Sequence, residues 1–210
     1  MLLITSTLES NHPGGRKLLS HTNFQSLQEI YGQKLQLLEL AKPAKSFLRK
    51  FRDIFKGHID GCSDKSILDA LSLIEKYNIQ DVFIDGSNFG AFASAIKKEF
   101  PNIRIIIFFH NVEFNFFYGA FKSNYSFHSF GVMVANYVAE YKSMKHSNHR
   151  ITLSERDSQQ LKKIYKKGAT HISGMAMVDK FSLADFKNIS KDLSYEKYAL
   201  FVGGNFYANR

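Results

Sequence analysis

The chain has 210 residues, 44% of them apolar and 14% aromatic, a formal net charge of +9 and a single cysteine, Cys62. That length holds one large domain or one and a half small ones, and one cysteine excludes an internal disulfide, which suits a reducing cytoplasm. The longest uninterrupted apolar run, 105–109, falls far short of the roughly 20 residues that cross a bilayer, and the basic balance asks for an anionic partner: nucleic acid, a phosphorylated ligand or a membrane surface.

Taken in order, residues 2–5 read as a buried strand, in an N-terminus (MLLITSTLES) that lacks the basic n-region of a secretory signal. Gly14-Gly15 is a turn, and a helix is expected over about 17–31, with Leu18, Leu19, Leu27, Ile30 and Tyr31 inward and Gly32 as its stop. Residues 35–40 form a second strand, and Pro43 opens a helix that ends near Gly57. Ser63 caps a helix with Ile67, Leu68, Leu71 and Ile74 at helical spacing. Residues 81–85 are a strand, 86–88 a polar turn, 92–100 a short helix stopped by Pro101, and 103–109 the next strand. The aromatic stretch 114–130 carries no clear period, 132–144 reads as a helix, and 150–153 as a strand. Ser154 caps a helix through about Lys166; 171–175 and 198–202 are further strands, separated by the polar stretch 185–197.

This alternation predicts an α/β fold, a Rossmann-like, mostly parallel sheet with helices on both faces. The near-continuous apolar runs 1–4 and 103–109 fit central strands covered on both sides. Ligands of such folds sit beyond the carboxyl ends of the strands, so the segments 9–16, 85–88, 110–113 and 154–157 matter most.

The two glycines of NHPGGR allow close backbone approach, the helix start after them offers unpaired N–H groups, and Arg16 adds a cation. The competing account is a strand-to-helix turn that binds nothing. The segment has neither the Gly-Lys-Ser/Thr of a P-loop nor a GxGxxG. His110, directly after a buried strand, is suited to hydrogen-bond a hydroxyl or act as a base, and Glu113 to accept from hydroxyls. Alternatively His110 is a satisfied loop histidine and Glu113 caps a local turn. No HExxH or paired Cys/His spacing suggests a metal. In LSERD, the Ser154 hydroxyl is expected to accept from the Asp157 N–H while the Asp157 carboxylate reaches back, which accounts for the motif structurally.

The helix PAKSFLRKFRDIFK places Phe47, Leu48, Phe51, Ile54 and Phe55 on one face and sets Lys45, Arg49, Lys50, Arg52 and Lys56 against one acid, Asp53. Such a helix suits an anionic membrane surface; it equally suits a core-packed helix with a solvated basic back. The stretch FNFFYGAFKSNYSFHSF is either a lid that meets a lipid or a sugar, or buried. No RNP-like motif is present, so nucleic acid is not expected as a partner.

The Gly14-Gly15 turn after the first strand, the strand ending in His110-Asn111-Val112-Glu113, ITLSERD followed by LKKIY at 161–165, and the late LFVGG at 200–204 together resemble bacterial GT-B glycosyltransferases of the family 4 type. The resemblance implies two Rossmann-like domains across a cleft, the first mainly for the acceptor and the second for a nucleotide-sugar donor. It implies retaining, metal-independent transfer with no cofactor. The Gly14-Gly15 turn would approach the donor diphosphate; His110 matches the family histidine near the transferred sugar; Asn111 and Glu113 belong to the same signature.

On this reading residues 1–195 are the acceptor-binding domain, and 196–210 are an interdomain segment plus the first strand of a donor domain that lies beyond Arg210. The family's carboxylate pair and phosphate-holding basic residues would lie there too, so this chain alone is not expected to transfer sugar. The expected acceptor is a surface polysaccharide or lipid-linked sugar, and the expected location the cytoplasm, peripherally on the inner membrane. There Phe47, Phe51 and Phe55 would insert while Lys45, Arg49 and Lys50 meet head groups, at ~1 kcal/mol per basic residue. The alternative is a carbohydrate- or membrane-binding module with the same fold and no chemistry.

Overall fold

Six strands, β1 (Leu2–Ser6), β2 (Gln36–Leu40), β3 (Asp81–Asp85), β4 (Arg104–Phe109), β5 (His149–Thr152) and β6 (His171–Ile172), lie in the order β2-β1-β3-β4-β5-β6 with every pair parallel. The computed structural model describes residues 1–6, 8, 15–41 and 47–174, with backbone alone for 47–51. Seven helices accompany the strands among these residues: α1 (Gly15–Tyr31), α2 (Phe47–Lys56), α3 (Asp64–Lys76), α4 (Gly90–Glu99), α5 (Glu113–Ser123), α6 (Phe127–His146) and α7 (Glu155–Tyr165). This is the expected Rossmann-like α/β architecture. Met1–Gly174 form one compact unit; the expected boundary at 195–196, the polar stretch 185–197 and the strand at 198–202 lie outside the described residues.

The side-chain alternation of the strands sorts the core into two layers. Leu2, Ile4, Val82, Ile84, Ile105, Ile107 and Phe109 face a cluster that includes Ala70 and Ile74 of α3, Ala91, Phe92 and Ile96 of α4, Met144 of α6 and Leu161 of α7. Leu3, Phe83 and Phe108 face Leu19 and Leu27 of α1 on the other side. The usual right hand of such crossovers accounts for this division: the chain moves from β1 to β2 in one direction and everywhere else in the other. The reversal falls between β1 and β3, which makes their carboxyl ends the switch point of the sheet.

Several local expectations shift. α1 begins at Gly15, so Gly15 and Arg16 belong to its first turn rather than to the turn before it. Leu18 and Ile30 are exposed; Leu18 lies two and a half turns, hence half a revolution, from buried Leu27. Leu68 of α3 is exposed as well, while the expected Ser63 cap is present, its hydroxyl accepting from Ser66 N. The aromatic stretch resolves into α5 and the start of α6, the latter opened by Ser126, which accepts from Ser129 N. β5 begins one residue earlier than expected, at His149. The Ser154 hydroxyl accepts from Asp157 N at 3.2 Å, but the Asp157 carboxylate accepts from that hydroxyl at 2.6 Å instead of reaching the Ser154 backbone.

Gly90 is where α4 crosses α6. A Cβ at this position would overlap Ala139 O and crowd Ser143 N, so only glycine lets the two backbones approach this closely.

Candidate functional site

Parallel register sets the frame of the site. Ile84 pairs with Ile4 and Asp85 with Phe108, so Thr5 and Asp85 stand at one level near the ends of β1 and β3, and His110 follows two residues beyond that level, just past the end of β4. Alternation places all three on the face of Leu3, Phe83 and Phe108, beneath α1. Asp85 is the hub. Its Oδ2 accepts from Thr5 Oγ1 at 2.8 Å, and its Oδ1 accepts from Asn23 Nδ2 of α1 at 2.8 Å and lies 3.0 Å from His110 Nε2. Burial works to raise the Asp85 pKa. The hydrogen bond and charge of His110, together with the Ser20 and Thr5 hydroxyls, outweigh it and hold the carboxyl at about 2. Ser20 Oγ is near enough to favour that charge yet makes no hydrogen bond of acceptable geometry.

His110 is therefore neither a loop histidine open to solvent nor part of the apolar core. Its side chain is 4% exposed, one ring nitrogen is engaged with Asp85, and Nδ1 has no partner. Its ring stands edge-on to Phe108, centroids 5.3 Å apart.

Arg16 reaches from the first turn of α1 to the β3–α4 turn. Its Nη2 donates to Asn88 Oδ1 at 2.9 Å, Nη1 lies 3.5 Å from Asp60 Oδ2, and the guanidinium sits 5.8 Å from the Phe89 ring centroid. Asn88 Nδ2 donates to the same Asp60 oxygen at 2.7 Å. Gly86 permits this turn: its φ is +138°, and a Cβ would lie 2.5 Å from Asn88 Oδ1 and 3.1 Å from Arg16 Nη2. Arg16 is thus a tethered cation rather than a free one.

The β4–α5 corner carries two further buried acids, Glu113 and Glu140. Glu140 of α6, fully buried, accepts from Glu113 N, Phe114 N, Ser87 Oγ and Tyr165 OH at 2.7 to 3.1 Å. It caps α5 from another helix, satisfying two of the N–H groups that a helix start leaves open. Burial raises its pKa despite the four donors, and burial and the nearby Glu140 carboxylate raise that of Tyr165. Glu113 does not cap the turn. It is 5% exposed, no described residue donates to its carboxyl group, and burial pushes its pKa up to about 7, with Arg16 opposing and Glu140 and Asp60 adding to the rise.

Among the described residues, four buried side-chain polar atoms lack a hydrogen-bond partner: Arg16 Nε, Ser20 Oγ, His110 Nδ1 and Asn111 Oδ1. All four lie on α1 or just past β4, at the carboxyl edge of the sheet. Elsewhere in the described residues such atoms are paired, as proteins generally require. Of the sequence candidates, the structure brings Arg16, His110, Asn111 and Glu113 to this edge, with Gly15 in the first turn of α1. Gly14 and Lys45 lie outside the described residues, as do the side chains of Phe47, Arg49, Lys50 and Phe51.

Sequence reasoning singled out the segment 85–88 without giving Asp85 or Asn88 a role, and it missed Asn23 and Glu140. For the role of Asp85 a signal existed: it is an acid that ends a strand at the same alternation parity as Phe83. For Glu140 none existed, because a lone acid in an aromatic-rich helix reads as a solvated position.

No protein-family model matches the chain, and no curated protein matches it.

Proposed function

We propose that Met1–Gly174 is the sugar-handling, acceptor-side domain of a glycosyltransferase of the GT-B type, family 4 like, acting on a surface-polysaccharide or lipid-linked acceptor. The observation that carries the reading is the gathering of every partnerless buried polar side-chain atom of the described residues on α1 or just past β4, at the carboxyl edge of the sheet. Arg16 Nε donates, Asn111 Oδ1 accepts, and Ser20 Oγ and His110 Nδ1 complete a set suited to a ligand rich in hydroxyls. In this reading the donor nucleotide is held mainly by a second domain, transfer retains configuration, and neither metal nor cofactor takes part.

Saturation-transfer NMR of the 210-residue protein against methyl hexosides, hexose phosphates and nucleotide-sugars tests it. The expected result is saturable binding of a hexoside, abolished by His110→Ala, without turnover of any nucleotide-sugar. Absence of sugar binding by the folded protein overturns the sugar-handling domain. Robust turnover by this chain overturns its assignment to one half of a cleft.

We further propose that the domain works at an anionic membrane surface. No helix of the described residues is long and apolar enough to cross a membrane, so the association is peripheral. α2 packs on α6 through Ile54, which would lie 3.1 Å from a Cβ at Gly131, and leaves Phe55 71% exposed beside exposed Arg52. The α5–α6 connection adds Tyr125, Phe127 and Phe130, with Phe127 99% exposed. Aromatic rings flanked by bases suit an interface that is apolar below and charged above. Sedimentation with vesicles is expected to show binding to anionic but not neutral lipid; equal binding to both would count against it.

A further inference from the structure

We propose that Asp85 is a positioning residue that locks His110 in one tautomer, so that Nδ1 becomes the hydrogen-bond acceptor of the site. The geometry of the hub carries this. Thr5 Oγ1 and Asn23 Nδ2 each donate to Asp85 at 2.8 Å, and His110 Nε2 lies 3.0 Å from the oxygen that Asn23 also uses. A carboxylate that collects donors in this way only accepts. A bare Nε2 lone pair facing Asp85 Oδ1 at that distance would be repelled, so Nε2 carries the proton. The neutral ring then has one lone pair left, on Nδ1.

Nδ1 is one of the four buried atoms without a partner, and Asn111 Oδ1, on the next residue, is another acceptor. Acceptors on two successive residues suit the hydroxyl protons of a polyol better than the oxygens of a bare phosphate. Asp85 touches no ligand in this arrangement. It acts through His110, as a carboxylate does when it fixes which imidazole nitrogen is free for chemistry. Asn23 and Thr5 hold Asp85 in turn, so α1 and β1 both contribute to the orientation of a ring that belongs to β4.

The proposal rests on the carbohydrate reading for its ligand class, but the tautomer is readable without any ligand. Long-range proton–nitrogen spectra of the full chain, labelled at histidine, distinguish the two ring nitrogens, with His110 assigned from the spectrum of His110→Gln. At alkaline pH the wild-type spectrum is expected to show protonated Nε2 and unprotonated Nδ1. In Asp85→Asn the amide presents either an oxygen or an N–H, and the pattern is expected to collapse to a mixture. A wild-type His110 with its proton on Nδ1, or an unchanged pattern in folded Asp85→Asn, overturns the proposal. If Asp85→Asn fails to fold, the wild-type spectrum decides alone. Whichever methyl hexoside binds the wild type is expected to bind Asp85→Asn about tenfold more weakly. Should no hexoside bind, the carbohydrate reading falls and the tautomer result still stands or falls by the spectrum.

Discussion

Asp85 and Glu113 are both buried carboxyl groups at the carboxyl edge of one sheet, and they sit in opposite states. Asp85 ends β3 with three side-chain donors around it and is held at about 2. Glu113 begins α5 with no described donor to its carboxyl group and is pushed up to about 7. Burial acts in the same direction on both, so burial does not decide the outcome. Glu140 sharpens the lesson: it accepts four hydrogen bonds, more than Asp85, and its pKa is still raised. What Asp85 has and Glu140 lacks is a donor that can carry a positive charge, His110, whose charge as well as its N–H favours the carboxylate. Carboxyl groups pushed apart in this way mark one group to stay charged and another to hold a proton near neutral pH.

The largest test of this contrast removes the hub. Asp85→Ala leaves buried Thr5, Asn23 and His110 donors without their acceptor and is expected to cost about 3–5 kcal/mol, read by urea unfolding at neutral pH. A loss below about 1 kcal/mol would show that the network holds little.

The next test is the pH dependence of Glu113. Its folded pKa of about 7 lies above the ordinary 4.5, so the folded state binds the extra proton between those values. Stability from this group is full below pH 4.5 and lost as pH rises towards 7, by about 3 kcal/mol at one pKa unit per 1.36 kcal/mol. Glu113→Gln keeps the shape of the protonated acid. It is expected to match the wild type at pH 4.5 and exceed it above pH 7; parallel unfolding curves for the two proteins across that window would refute the assignment.

Asp85 has the opposite sign. Its folded pKa of about 2 lies below the ordinary 3.8, so its contribution is present above pH 3.8 and lost as pH falls towards 2, by about 2 kcal/mol. Asp85→Asn is expected to lose that acid limb while keeping the limb due to Glu113. The smallest effect is expected away from both acids: Ser63→Ala removes the cap of α3 at about 1 kcal/mol, without pH dependence. A pH-dependent loss there would mean the acids are not the source of the titration.

Much of the scaffold was legible in the residues themselves. The strands at 81–85 and 103–109 are dense in β-branched and aromatic residues, and the caps at Ser63 and Ser154 were found because a hydroxyl three residues from an open N–H acts locally. The stretch 114–130 was illegible because aromatic residues face both inward and outward there. Tyr118, Tyr125, Phe127 and Phe130 are exposed while Phe114 stacks on Tyr118 and meets Tyr137 edge-on. Of the site, His110, Arg16 and Glu113 were visible as polar residues at strand and helix ends, but their states were not. Whether Arg16 is free, and whether Glu113 has a donor, depends on Asp60, Asn88 and Glu140, which come from other elements.

Periodicity and local hydrogen bonding therefore determined the α/β alternation, the starts of α3 and α7 and the edge of the sheet where polar groups collect, because each is settled within a few residues. Tertiary structure alone decided which acid is charged, which histidine nitrogen is engaged and which helix start Glu140 caps. Those properties depend on burial and on donors brought together across the parallel register of β1, β3 and β4, from positions 80 and 25 residues away in the case of Asp85.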